Sequence, residues 1–404
     1  MANLAFRLGK ASEIKSLAPV IAAALNRGIN ITIISGPSPH TLFPKQKEQN
    51  PLRENIKFPG SEKARFLHYQ SNAELPLLLT RHNVTNLITL NFPPVTFGEY
   101  LPAISRDRHL FCLQATGDFL HMPPSLIAHV HRMLMYSELM TNTYLTAYPT
   151  LPVSDRAKFI AVGNPVYDIL PSLDPDYIRH KYNLPSQRNI ILLASANPHV
   201  NWWRHYVFSN PNRLKAAVNC VRANHTRLAY DAITSPRYIS LIKTIKNWCQ
   251  KNNALLVIKS KLKHKDPNYV RDAADFIIGD ENGWYPLRFL ELAAIAKLTI
   301  SFNYSTSMFD AIAAGSPSLQ IGIKDPTDPE KPELNPFISD SYSQNPNVCL
   351  VTDHRQLPQL LSNRPLSSFR LDVISRSKLL HNYFGFTDNH PPTSANTILD
   401  IVMK

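Results

Sequence analysis

The residues best suited to chemistry are Tyr304, Ser305, Thr306, Ser307 and Asp310, which stand where the apolar segment Leu298 to Ser301 gives way to a helical pattern ending on Gly315-Ser316-Pro317. The first N–H groups of a helix lack intrahelical partners and carry the positive end of its macrodipole. A phosphate seated there gains several hydrogen bonds at once. Ser305, Thr306 and Ser307 would add hydroxyl donors. The same residues also read as an ordinary helix start, with Ser305 or Thr306 as cap and Ser307 with Asp310 approximating a capping box.

Other polar residues fall just after apolar runs. Lys259, Lys261 and His264 belong to a basic tract that ends at Lys265 and follows the run Ala254 to Ile258. They fit either an anion site or a solvated rim. Ser195 and Asn197 follow the run Asn189 to Ala194, as hydrogen-bonding groups or as turn residues. Trp284, Tyr285 and Pro286 open the helix before the motif strand and offer an aromatic face for a nucleobase, or a hydrophobic staple. Gly9 and Lys10 form the first strand-to-helix turn, where a ligand can approach the backbone closely. For a general base, Asp118 follows the run His109 to Leu113 and competes with an Asx-turn role. Glu138 is the alternative, read as a mid-helix residue on a solvated face. His121, His129 and His131 invite a metal-site reading, but His129 and His131, assigned to a helix, would splay apart at two-residue spacing, so no metal site is expected there.

These residues need a scaffold of alternating strands and helices. Leu4 to Leu8 reads as a strand, Ala11 to Arg27 as an amphipathic helix stopped by Gly28, and Ile29 to Ile34 as a second strand. Strands follow at 86–90, 109–113 and 158–162, with helices at 73–81 and 124–140. A second series has strands at 189–194, 254–258, 275–278, 298–301 and 318–321, with helices at 238–251, 286–296 and 308–314. Such alternation predicts an α/β fold of two Rossmann-like domains with parallel sheets and ligands at the carboxyl ends of the strands. The expected organisation is a first Rossmann-like domain at 1–168, a linker at 169–187, a second Rossmann-like domain at 188–378 and a C-terminal segment at 379–404.

At 404 residues and 44% hydrophobic, the chain can build two separate cores. Its formal charge of +13 favours an acidic partner. The scattered basic residues argue against nucleic acid and for phosphorylated small molecules or anionic lipid headgroups. Four widely spaced cysteines suggest neither disulfides nor a zinc cluster. With no signal-peptide pattern and no apolar run long enough to span a bilayer, a cytoplasmic protein is expected. The absence of G-x-G-x-x-G argues against a conventional dinucleotide cofactor.

Three segments carry a family resemblance: Val162-Gly163-Asn164-Pro165-Val166-Tyr167-Asp168; the run from Phe289-Leu290-Glu291-Leu292 through Tyr304-Ser305-Thr306-Ser307-Met308-Phe309-Asp310; and Asn382-Tyr383-Phe384-Gly385-Phe386-Thr387-Asp388 with the final helix. In order and spacing the chain resembles GT-B fold glycosyltransferases, in particular the surface-polysaccharide and CDP-glycerol-type branch. The resemblance implies two domains facing a cleft and a C-terminal helix crossing back to the N-terminal domain. It also implies metal-independent transfer, without a cofactor, from a CMP- or UDP-linked sugar to a cell-surface glycan or lipid-linked glycan; the basic surface would suit the inner face of an anionic membrane. A CDP-glycerol or ribitol-type polyol-phosphate transferase and an inactive binding scaffold are the alternatives. Where such enzymes carry Lys-Pro-His-Pro, this chain reads Lys259-Ser260-Lys261-Leu262-Lys263-His264-Lys265, without a His-Pro pair.

Overall fold

The computed structural model describes residues 3–8, 11–36, 60–90, 98–114, 124–194, 212–260, 266, 268–279, 288–302, 307–322, 345–387 and 393–404. Inside the long helix that follows 212, the side chains at 213, 216, 220 and 223–237 are not described. The chain divides into two compact units, the first holding Met1–Ser172 and Ser377–Lys404, the second Leu173–Glu281 and Leu287–Arg376.

Unit 1 is built on seven parallel strands: β1 (Leu4–Leu8), β2 (Ile31–Ser35), β3 (Arg65–His68), β4 (Asn86–Leu90), β5 (His109–Leu113), β6 (Arg132–Met135) and β7 (Phe159–Ala161). They lie in the order β3-β2-β1-β4-β5-β6-β7. Every residue of β1 and β4 is buried, as expected for strands covered on both faces. The helices are α1 (Ala11–Asn26), α2 (Leu75–Arg81), α3 (Leu101–Ser105), α4 (Pro124–Ile127), α5 (Glu138–Ala147) and α6 (Val153–Arg156). Apolar residues Ile14, Leu17, Ile21 and Ala24 give α1 its buried face. Gly28, at φ 70°, ends it where the Ile29 N–H bonds the Ala24 carbonyl.

The helix expected over 124–140 is not one element. It breaks into α4, the strand β6 and α5. Its apolar residues satisfy either period, and the wish of β5 and β7 for a partner on their open sides decides for a strand. Ser137 then caps α5, its Oγ accepting from the Met140 N–H at 3.1 Å. His129 and His131 are therefore not helical. His131 stacks on His109 of β5 at 4.2 Å, and burial first, then the neighbouring His109, Arg132 and Lys158, hold its pKa down.

Unit 2 repeats the plan with six parallel strands: β8 (Asn189–Ala194), β9 (Ala254–Lys259), β10 (Phe276–Ile278), β11 (Leu298–Phe302), β12 (Ser318–Gly322) and β13 (Cys349–Asp353). Their order is β10-β9-β8-β11-β12-β13. Its helices are α7 (Pro175–Lys181), α8 (Arg213–Lys251), α9 (Asn268–Ala273), α10 (Arg288–Ile295), α11 (Ser307–Ala313), α12 (Leu357–Asn363) and α13 (Val373–Phe384). One face of the sheet, with Ile191, Leu193, Ile300 and Ile321, packs against Tyr238, Ile242, Ile245 and Trp248 of α8 and Leu357 of α12. The stretch expected as linker contains α7, whose Lys181 and following Tyr182 grip Glu291 of α10.

α13 passes from unit 2 into unit 1, and α14 (Ser394–Val402) completes unit 1. Two of the family-like segments meet there. The Asn164 N–H donates to the Phe384 carbonyl at 3.2 Å, and Asp168 accepts from the backbone N–H groups of Ser394 and Ala395 at the start of α14. At the other end of α14, the Asn86 side chain donates to the Val402 carbonyl at 2.7 Å and Arg27 pairs with Asp400. The Val162–Asp168 and Asn382–Phe386 motifs are thus the clasp that fastens the C-terminal segment to unit 1.

Candidate functional site

Both sheets have the strand order in which the chain works outward from a central strand, returns, and continues on the other side. The reversal falls between β1 and β4 in unit 1 and between β8 and β11 in unit 2. In sheets of this kind the crevice beyond the carboxyl ends of the two strands at the reversal is the place where ligands bind. In unit 2, β8 leads directly to Ser195 and Asn197, and β11 leads to Asn303, Tyr304, Ser305 and Thr306. In unit 1, β1 leads to Gly9 and Lys10 and β5 to Asp118. All of these, with Lys261, His264, Trp284, Tyr285 and Pro286, lie outside the described residues; the structure locates the strand ends from which they depart.

Four singled-out residues are described. Ser307 is the first residue of α11 and is half-buried, while Asp310, in the first turn, is only 6% exposed. A carboxylate there complements the positive helix end. The far end of α11 is closed by Gly315 at φ 85°, by the Ser316 N–H bonding the Ala311 carbonyl, and by Arg376, which donates to the carbonyls of Ile312 and Ala313 at 2.8 and 2.6 Å. The Gly-x-Pro ending is therefore a left-handed helix stop.

Lys259 is the last residue of β9, level with Ala194 of β8 and Ile278 of β10. At 8% exposure it is not a solvated rim residue. Its Nζ donates to the Ser260 carbonyl at 2.6 Å, the Ser260 N–H bonds the Ile278 carbonyl, and the Ser260 hydroxyl donates to the buried Asp266 carboxylate. The cation is held at the carboxyl edge of the sheet, one strand from the reversal. Glu138 corrects the expectation of a mid-helix residue: it is the first residue of α5, exposed, next to the capping Ser137.

Two sets of polar groups escaped the sequence reading. On β11 and β12 the pairs Thr299–Ser318 and Ser301–Gln320 stand side by side on one face, all buried. Thr299 and Ser316 share a hydrogen bond of 2.8 Å, whereas Ser301 Oγ and Gln320 Oε1 have no hydrogen-bond partner among the described residues. The second set lies in unit 1, where the wholly buried Arg7 of β1 donates through Nε to the Tyr69 hydroxyl at 3.0 Å. A Cβ on Gly36 would fall 1.9 Å from the Tyr69 ring, so the glycine admits it. The signal was available: a hydroxyl or an amide at alternate places of the apolar segments 298–302 and 318–322, and an arginine two residues before Gly9. A cavity of 570 Å³ lined by Asn347, Phe369 and Arg370 lies at the opposite, amino-terminal ends of β12 and β13.

No protein-family profile matches the chain, and no curated protein matches it in sequence. Solved structures do match. The UDP-GlcNAc 2-epimerase of Neisseria meningitidis bound to UDP-GlcNAc superposes with a TM-score of 0.53 at 12% identity, over 100% of both chains. The wall teichoic acid polymerase TagF gives 0.56 at 12% identity, over 100% of this chain and 88% of its own. A glycosyltransferase from Rickettsia africae gives 0.50 at 13%, over 99% and 97%. At these identities the likeness concerns the fold. The chain has the two-domain, Rossmann-like fold of GT-B type, as its sequence led us to expect.

Proposed function

We propose that the protein is a glycosyltransferase that moves a sugar from a nucleotide-activated donor to a glycan acceptor. The observation that carries this reading is the reversal between β8 and β11, because the segment that joins β11 to α11 there contains Ser305 and Thr306 and leads into Ser307. The donor diphosphate would lie against the α11 amides and these hydroxyls, with the Lys259 ammonium nearby to meet its charge. Ser195, Asn197, Lys261, His264 and Asp310 complete the proposed donor side, with Trp284, Tyr285 and Pro286 around the base. Gly9 and Lys10 would border the acceptor.

In the transfer step, the bond between the sugar anomeric carbon and the donor phosphate oxygen breaks, and its electron pair leaves with the nucleotide. The acceptor oxygen bonds the anomeric carbon while its proton passes to a carboxylate, Asp118 as first choice and Glu138 as second. The test is incubation with UDP- and CMP-linked sugars and a glycan acceptor, following nucleotide release. Acceptor-dependent release supports the reading; no release with any donor contradicts it.

Two neighbours favour specific rivals. The epimerase that matches end to end supports interconversion of the donor sugar itself, which would change the sugar without an acceptor and without releasing nucleotide. TagF supports transfer of a polyol phosphate, which would leave phosphorus in the product.

A further inference from the structure

We infer that the N-terminal part of α8 docks the protein on an anionic lipid bilayer. Among the described side chains of this 39-residue helix, those that join the unit 2 core run from Tyr238 onward. In its first turns Leu214 (79%), Val218 (42%) and Val221 (55%) are exposed. Spaced at i, i+4 and i+7, these side chains form one stripe, with the half-buried Ala217 between them. Lys215 and Arg222, both exposed, fall together along one border of the stripe. An apolar stripe flanked by cations is the pattern of a helix that lies in a membrane interface, its apolar side among the acyl chains and its cations at the headgroup phosphates.

Charge selects the lipid. No acidic residue occurs between Asp176 and Asp231, whereas Arg213, Lys215, Arg222 and Arg227 all lie in the first part of the helix. A solvent-facing helix would not need the stripe, and a polyanion such as RNA would need only the charge. Among the described residues no helix is long and apolar enough to cross a membrane, so α8 would lie on the surface rather than span it.

The test is flotation of the full chain with phosphatidylcholine vesicles and with vesicles containing phosphatidylglycerol. The wild type should bind the anionic vesicles, release them as salt rises, and ignore neutral ones. L214D/V221D and K215E/R222E should each weaken binding at least tenfold while keeping the wild-type circular dichroism and melting temperature, since none of these side chains is buried. Absence of binding to anionic vesicles would overturn the inference, as would undiminished binding by L214D/V221D. So would a stripe-dependent dimer in sedimentation without lipid binding, or binding to RNA alone. Membrane docking is separable from donor chemistry, because nucleotide binding measured without vesicles should be unchanged in all these variants.

Discussion

The carboxylate of Asp168 accepts the backbone N–H of Ala395 at 2.7 Å and so caps α14 across 227 positions of sequence. Burial pushes the Asp168 pKa up, and its hydrogen bonds from Ala395 and Ser394 oppose that without cancelling it. Replacing it by Ala should cost about 1 kcal/mol, the usual worth of a cap, and by Asn less. A raised folded-state pKa means that protonation favours the folded state. As pH falls from neutral toward the ordinary carboxylate value, the wild type should therefore gain stability relative to D168N. Urea unfolding at a series of pH values reads the sign; a gap moving the other way would contradict it.

Gly163 and Gly385 sit at the same crossing. Both have left-handed φ, 83° and 73°. A Cβ at 163 would lie 2.2 Å from Ser394 Oγ, and one at 385 would lie 2.7 Å from the Tyr136 carbonyl oxygen. Each Gly→Ala change should cost about 1–3 kcal/mol. Ser394→Gly should restore part of the G163A loss, because a side chain is in the way. Nothing comparable can relieve G385A, where the obstacle is backbone. Gly28→Ala, also left-handed but with open space around it, should show the conformational cost alone, about 1–2 kcal/mol. Thermal melts of the four variants test the ranking.

Glu291 belongs to the family-like run before the motif strand, but its neighbours give it structural work. Its carboxylate accepts from Lys181 Nζ at 2.8 and 2.9 Å and from the Tyr182 hydroxyl, tying α7 to α10. Glu291→Gln should lower stability by about 1–3 kcal/mol and leave nucleotide affinity within about twofold, well under the 1.4 kcal/mol that a tenfold change requires. A double-mutant cycle with Lys181→Met measures the coupling; additive losses would show that the pair is not joined.

The choice of base is open to kinetics. Asp118→Asn should lower kcat by about 100-fold or more if Asp118 takes the acceptor proton. Glu138→Gln, at an exposed helix start, should cost only a few tenths of a kcal/mol in stability and little activity. The reverse pattern would assign the base to Glu138.

Much of the fold could be read from the chain. β1, β4, β5 and β8 begin and end where the apolar runs predict, since each is buried on both faces and nothing but burial shapes its sequence. β3 and β13 were missed: both expose an apolar residue, Phe66 and Val351, and their apolar stretches, Phe66-Leu67 and Val348-Cys349-Leu350-Val351, are short. The first turns of α8 were missed because their apolar residues Leu214, Val218 and Val221 are interspersed with Lys215, Asn219 and Arg222 and so form no long apolar run. At the site, the strand ends were legible, while the burial of Lys259, the Arg7–Tyr69 contact and the Ser301–Gln320 pair depend on sheet register, which a single sequence does not display.

The central claim is that the segment between β11 and α11 receives a nucleotide phosphate. Calorimetric titration of UDP, UMP, CDP and CMP into the wild type and into S305A/T306A tests it most directly. We predict saturable binding of at least one nucleotide by the wild type, weakened about tenfold or more in the variant while its melting temperature falls only by the worth of a lost cap, about 1 kcal/mol. No heat with any nucleotide, or equal affinity in the two proteins, would contradict it.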